Sequence, residues 1–221
     1  MFVRDRMSSP AFTVQPDMPF QDALRLMQEK HFRRLPVVDK QGKLAGIVAE
    51  RDLLYASPSP ATSLSVWEMN YMLSKIKVER LMTSEVVTTT ADTPIEDAAY
   101  LMVVKRVGGL PVVDDAGKPI GIITETDIFK TMVEMFAGSY PGLRLTMEVP
   151  SGKGVLARMA EAIFAQGGNI LSVGVFNMPD PLKDGIVMKI QDVSKDELVP
   201  ALESLGDHVI DARDIEGYSA E

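Results

Sequence analysis

Residues 3–55 and 78–130 are one text written twice, each position of the first copy meeting its counterpart 75 positions later without an insertion. Met7 aligns with Met82, Asp17 with Asp92, Pro19 with Pro94 and Ala23 with Ala98. The string LPVVD at Leu35–Asp39 returns at Leu110–Asp114, Gly46-Ile47 returns as Gly121-Ile122, and Asp52 returns as Asp127. Roughly two positions in five are identical, well beyond chance for unrelated segments. Two copies are too few for a solenoid, so the repeat predicts two similar halves about a pseudo-twofold axis, with a pair of related clefts between them. The positions where the copies differ then decide what each cleft can hold.

Within each copy the apolar periodicity changes twice. After a short extended stretch, Phe20, Ala23, Leu24 and Met27 mark one face of a helix, and Ile95, Ala98, Ala99 and Met102 mark its counterpart. Pro19 and Pro94 suit the first helical position, and Thr93 with Glu96 has capping-box spacing. The runs Leu35–Val38 and Leu110–Val113, each followed by a turn at Gly42 or Gly117 and a second apolar run, predict a pair of strands. A further helix is expected near Asp52 and Asp127, so each half has the order β-α-β-β-α.

Ser57–Ser63 is Ser- and Pro-rich and predicts a surface loop. Leu64–Ile76 has helical spacing, with Trp67, Tyr71 and Ser74 on one flank and a broad apolar surface of Val66, Met69, Met72, Leu73 and Ile76. It is expected to be buried within the fold or at a dimer interface; without basic flanks, a membrane or partner-protein helix is the weaker reading. Gly138–Gly142, GSYPG, marks a boundary. Beyond it, strand-like Leu143–Val149, helical Gly154–Gln166, strand-like Asn169–Phe176 and Gly185–Ile190, helical Lys195–Leu205 and strand-like Val209–Ile215 give β-α-β-β-α-β, the ferredoxin-like plan. The expected divisions are 1–63 and 78–137 for the repeats, 64–77 for a connecting helix, 138–142 for a linker, 143–217 for the last domain and 218–221 for a tail. The fold class is α+β.

Composition narrows the function. A net charge of -8 opposes phosphate backbones and anionic lipid, and no basic run exceeds Arg33-Arg34, so neither nucleic acid nor membrane is expected as a partner. The chain has no cysteine, which removes disulfides, thiolate metal sites and cysteine nucleophiles. Met1–Met7 carries Arg4, Asp5 and Arg6 where a signal peptide needs apolar residues, so a cytoplasmic location is expected. His31 and His208 lack the spacing of a metal pair and read as surface residues. No G-x-S-x-G is present, and PSGKG at 150–154 lacks the earlier Gly and the Ser or Thr of a phosphate loop. No metal site and no catalytic residue are expected, and the chain reads as a non-enzyme.

The strand-to-helix turns GIVAERD at Gly46–Asp52 and GIITETD at Gly121–Asp127, together with LPVVD, resemble the cystathionine-beta-synthase (CBS) domain family, whose tandem pairs form Bateman modules. The resemblance covers most of the first 135 residues. It implies an adenosine ligand: in the pattern G-h-h-[ST]-x-x-D, the hydroxyl of Thr124 approaches phosphate, and Asp127 accepts the ribose hydroxyls, with Gly121 opening the turn. A carboxylate is a natural two-point acceptor for a diol, and a helix N-terminus favours phosphate. The same Thr124 and Asp127 also satisfy a helix-capping pattern that requires no ligand. Ala49 cannot cap, yet Asp52 recurs.

The copies also part just before LPVVD, where Phe32-Arg33-Arg34 stands against Val107-Gly108-Gly109. Arg33 and Arg34 read either as solvated surface charges or, by the resemblance, as cleft groups clasping phosphate, with Gly108 and Gly109 leaving room for a ligand. The family geometry implies that the Asp127 cleft borrows Phe12, Phe32 and Arg33, and that the Asp52 cleft uses Arg33 or Arg34 with Val87 and Val107. The Phe and Val side chains would sandwich adenine or, alternatively, serve as ordinary core.

The segment PSGKGVLARMAEAIFAQGGNI, Pro150–Ile170, resembles the ACT domain, a small amino-acid-sensing regulatory unit. Its expected effector turn comprises Ser151, Gly152, Lys153 and Gly154, facing the strand entry at Asn169 and Ile170. That family usually carries Asp-x-Pro-Gly at the turn, whereas Ser151 and Lys153 stand here in place of Asp and Pro; pairing of such domains into a homodimer is expected at least as much as amino-acid sensing. Two CBS copies followed by an ACT domain resemble the acetoin-utilisation (AcuB) type of CBS-plus-ACT protein. The resemblance implies a regulatory protein sensing an adenine nucleotide (AMP, ADP or ATP), or S-adenosylmethionine, and acting on a regulated partner. The competing expectation is a ligand-free assembly module with vestigial clefts.

Overall fold

The structure, a computed structural model, describes residues 1–56 and 75–218. The expected connecting helix at 64–77 and the loop at 57–63 lie outside the described residues except at 75–77, as does most of the tail. Two compact units divide the chain, Met1–Ile128 and Phe129–Glu221.

In the first unit each copy folds alike. The first contains α1 (Phe20–Lys30), β1 (Arg34–Val38), β2 (Leu44–Ala49) and α2 (Glu50–Tyr55). The second contains α3 (Ile95–Lys105), β3 (Gly109–Val113), β4 (Pro119–Thr124) and the first turn of α4 (Glu125–Met135), whose remainder belongs to the second unit. Each strand pair is an antiparallel hairpin. The turn is closed by the repeated Asp of LPVVD: Asp39 Oδ1 accepts from the Gln41 and Lys43 N–H groups, and Asp114 Oδ1 from those of Ala116 and Lys118. Gly42 and Gly117, at φ 78° and 77°, supply the left-handed residue the turn requires.

The leading extended stretch of each copy shrinks to a single parallel bridge, Val14 with Val37 and Thr89 with Val112. The helix starts also differ from the expected pattern. Pro19 and Pro94 sit one residue before the first helical position, where their carbonyls accept from Ala23 and Ala98. Thr93 forms no capping box with Glu96, because its hydroxyl is engaged backward with the Thr90 N–H and hydroxyl.

The two copies interlock through exchanged leaders. Val3 is fully buried in the core of the second copy, among Ile95, Ala98, Met102, Leu110, Val112 and Ile123. Val78 is fully buried in the first copy's core with Val14, Phe20, Met27, Leu35 and Leu53. Ser8 bridges Ile122 and Thr83 bridges Ile47, each through paired backbone hydrogen bonds of 2.8–3.0 Å. The copies therefore form one body, and neither core is complete without residues of the other.

The second unit carries β5 (Gly142–Pro150), α5 (Val155–Ala165), β6 (Asn169–Asn177), β7 (Lys183–Gln191), α6 (Lys195–Glu203) and β8 (His208–Ile215). Its four-stranded sheet has the order β6-β7-β5-β8, with every adjacent pair antiparallel. Leu143, Leu145, Met147 and Val149 alternate inward from β5 and meet Met159 and Ile163 of α5 and Leu198 and Leu202 of α6. No helix among the described residues is long and apolar enough to cross a membrane.

Candidate functional site

Two clefts lie between the copies of the first unit. One, of about 260 Å³, is lined by Ser8, His31, Phe32, Arg33, Arg34, Ile122, Thr124, Thr126 and Asp127. The other, of about 460 Å³, is lined by Arg33, Arg34, Ala49, Glu50, Arg51, Asp52, Gly108 and Glu125. Both are composite, and Arg33-Arg34, at the entry to β1, borders both.

In the Asp127 cleft the turn from β4 to α4 sets the geometry. The Asp127 Oδ2 accepts from the Thr124 backbone N–H at 2.8 Å and from its hydroxyl at 2.7 Å. Arg33 reaches across from the first copy, and its Nη2 donates to the Thr126 hydroxyl at 2.8 Å. A guanidinium that spends one N–H on a neutral hydroxyl has further N–H donors for an anion. Phe32 lines the cleft, and Phe12 packs on it with ring centroids 4.9 Å apart and planes inclined at 45°. The residues grouped here are thus Phe32, Arg33, Thr124 and Asp127, while the expected Phe12 packs on Phe32 and is not among the residues bordering the cleft.

The Asp52 cleft is built from the same turn with different chemistry. Asp52 Oδ2 accepts from the Ala49 N–H at 3.2 Å, so the recurrence of Asp without a capping hydroxyl has a structural cause: this half of a capping box needs only the backbone of the first residue. Arg34 extends over Gly108, where an added Cβ would overlap its Nη2 and lie 2.8 Å from Glu125 Oε2. The room that Gly108 provides is filled by Arg34 and Glu125. Burial draws the Arg34 pKa down from its ordinary value; the Glu125 charge opposes this most, while Arg33 and Arg51 add to it and Asp52 opposes it.

Other expected residues have different neighbours. A Cβ on Gly121 would meet Met7 Sδ at 2.7 Å and the Ser8 carbonyl at 2.8 Å, so this glycine admits the exchanged leader. Gly109 sits beside the Ile123 carbonyl and the stem of Arg34. Val87 and Val107 pack against the second copy's core and are not among the residues bordering either cleft. In the second unit, Gly152 and Gly154 border a cleft of about 420 Å³ with Val149, Val155, Leu156, Ala157, Val175, Asp184 and Ile186. Ser151, Lys153, Asn169 and Ile170 do not border it; Ile170 packs against the sheet core.

Sequence reasoning passed over Ser8, Thr126, Arg51 and Glu125, and gave His31 only as a surface residue, which it is, at the border of the Asp127 cleft. The signal for two of them was present: Arg51 and Thr126 are equivalent positions at which the copies differ, and Thr126 is the residue that receives Arg33.

Comparison with known proteins agrees with this arrangement. The family model described as CBS domain matches residues 3–59 and 78–134. The chain belongs to the CBS-domain family, as a tandem pair. It is 36% identical over 135 residues to a CBS domain-containing protein of Dictyostelium discoideum, covering 61% of this chain and 93% of that one. Among solved structures, CBSX2 in complex with AMP is 33% identical with a TM-score of 0.51, over 61% of this chain and 97% of that one. The CBS pair of MJ0100, in complex with 5′-methylthioadenosine and S-adenosyl-L-methionine, is 30% identical with a TM-score of 0.50, over 60% and 95%. A putative acetoin utilization protein (AcuB) from Vibrio cholerae is 28% identical with a TM-score of 0.50, over 60% and 90%. The family match does not extend to residues 135–221.

Proposed function

We propose that this protein is a non-enzymatic sensor of phosphate-bearing adenosine ligands, and that the Asp127 cleft is its principal site. The observation that carries this reading is the convergence, from both copies, of the Arg33 guanidinium, the Thr124–Asp127 turn at the N-terminus of α4, and the Phe32 ring. A cation and a helix N-terminus suit phosphate, a carboxylate suits a ribose diol, and an aromatic face suits adenine. The AMP complex of CBSX2 and the adenosine complexes of MJ0100 support the ligand class. Binding acts on partners only insofar as the ligand favours one arrangement of the chain over another. The absence of cysteine is consistent with work in the cytoplasm.

The second unit supports self-association. Its element order and its sheet order β6-β7-β5-β8 fit the ferredoxin-like plan of an ACT domain. Edge strand β6 and neighbouring α5 leave Val173, Val175, Leu156 and Phe164 exposed, the last at 81%. Covering such a stripe with that of a second copy removes an unpaired edge and an apolar surface together.

The test is thermal unfolding of the full chain with AMP, ADP, ATP and S-adenosylmethionine. Ligand at about a hundred times its dissociation constant stabilises by roughly 2.7 kcal/mol, visible as a shift of several degrees. A flat response across the panel at millimolar concentration refutes the sensing role and favours the ligand-free assembly module.

A further inference from the structure

The two clefts arise from one duplicated text but differ in what faces their arginine. In the Asp127 cleft the Arg33 head meets a neutral hydroxyl, Thr126 Oγ1. In the Asp52 cleft the Arg34 head shares the space above Gly108 with the Glu125 carboxylate. Glu125 borders the Asp52 cleft and not the Asp127 cleft, while Thr126, the next residue, borders only the Asp127 cleft. Successive residues of α4 thus face opposite clefts, one carrying a hydroxyl and the other a negative charge.

We propose that Glu125 is a specificity residue that excludes phosphate-bearing adenosine ligands from the Asp52 cleft, leaving that cleft to adenosine ligands without negative charge. The inference rests on the adenosine reading above. A phosphate entering the Asp52 cleft must shift the Glu125 carboxylate from the space above Gly108 or approach it there, and either step opposes binding. An uncharged adenosine ligand meets neither obstacle. In this cleft Glu50, Asp52 and Glu125 balance Arg33, Arg34 and Arg51, whereas in the other Asp127 alone faces Arg33 and Arg34, which leaves a surplus cation there for phosphate. Discrimination here comes from a repulsive element added to one of two similar sites. The duplicated scaffold then reads two chemical states of adenosine instead of one state twice.

Calorimetric titration of the full chain with AMP, and separately with 5′-methylthioadenosine as the uncharged probe, tests this. The wild type is expected to bind AMP at a single site per chain, and Glu125→Gln to bind it at two. Adding Asp127→Asn, a residue that borders only the Asp127 cleft, to Glu125→Gln should remove the first AMP site and keep the new one, which places it in the Asp52 cleft. 5′-Methylthioadenosine should reach the Asp52 cleft already in the wild type, and Asp52→Asn should weaken that site alone. Two AMP sites in the wild type, or a single site in a folded Glu125→Gln, overturn the proposal while leaving the adenosine reading intact. No binding of either probe to the wild type overturns both.

Discussion

Arg33 of the first copy and Thr126 of the second are joined by a 2.8 Å hydrogen bond across the Asp127 cleft. The bond places a cation where the turn into α4 presents its N-terminus. A charge-assisted contact to phosphate contributes roughly 1.5–3 kcal/mol, so Arg33→Gln should weaken AMP binding by about tenfold to a hundredfold. Adenosine, lacking the phosphate, should be nearly indifferent to the change. Titration of both ligands against the variant checks this, and equal losses for the two would remove Arg33 from the phosphate.

Asp127 has a structural duty as well as the proposed ligand contact, and two substitutions separate them. Asp127→Ala removes the acceptor for the Thr124 N–H and hydroxyl, and should lower stability by about 1 kcal/mol without ligand. Asp127→Asn keeps an acceptor for the cap and should unfold close to the wild type, yet lose much of the AMP-induced thermal shift. An Asn variant that keeps the full shift would make Asp127 a cap and nothing more.

The repeated glycines make a sharper stability prediction. A Cβ on Gly46 would meet Met82 Sδ at 2.6 Å and the Thr83 carbonyl at 3.1 Å, whereas one on Gly121 would meet the Ser8 carbonyl at 2.8 Å as well as Met7 Sδ. A thioether tip can turn away and backbone cannot. Both alanine variants should destabilise by about 1–3 kcal/mol, with Gly121→Ala the worse, as read by denaturant midpoints.

Much of this was legible in the repeat, and the limits have physical causes. The hairpins and helices followed from periodicity because each copy has one buried face and one wet one. The exchange of leaders was not visible, because Val3 and Val78 look alike and sequence cannot say which core each enters. Phe32, Arg33, Thr124 and Asp127 were found as a group through the family motif and the disagreement between copies. Gly108 reads in the sequence as space for a ligand, while the structure fills that space with Arg34 and Glu125, residues too far apart in the chain for any local pattern to bring together. Thr93 has the spacing of a cap, but Pro94 takes the cap position and the Thr93 hydroxyl is engaged with Thr90.

Lys189, 4% exposed in β7, provides a pH prediction. Burial, and after it the Arg144 charge, hold its pKa below the ordinary lysine range. The unfolded chain therefore binds more protons between the folded and unfolded values, so stability should rise with pH through that alkaline window. Lys189→Met should raise the melting temperature at neutral pH and flatten the rise. A lower melting temperature for the variant would show that the ammonium has a stabilising role.

The most direct measurement is a crystal structure of the full chain grown with AMP. The account predicts AMP in the Asp127 cleft, its phosphate within hydrogen-bond distance of the Arg33 guanidinium, its ribose hydroxyls on the Asp127 carboxylate and its base against Phe32. AMP bound only beside Asp52 and Arg34, or a crystal saturated with AMP whose Asp127 cleft holds none, would contradict it.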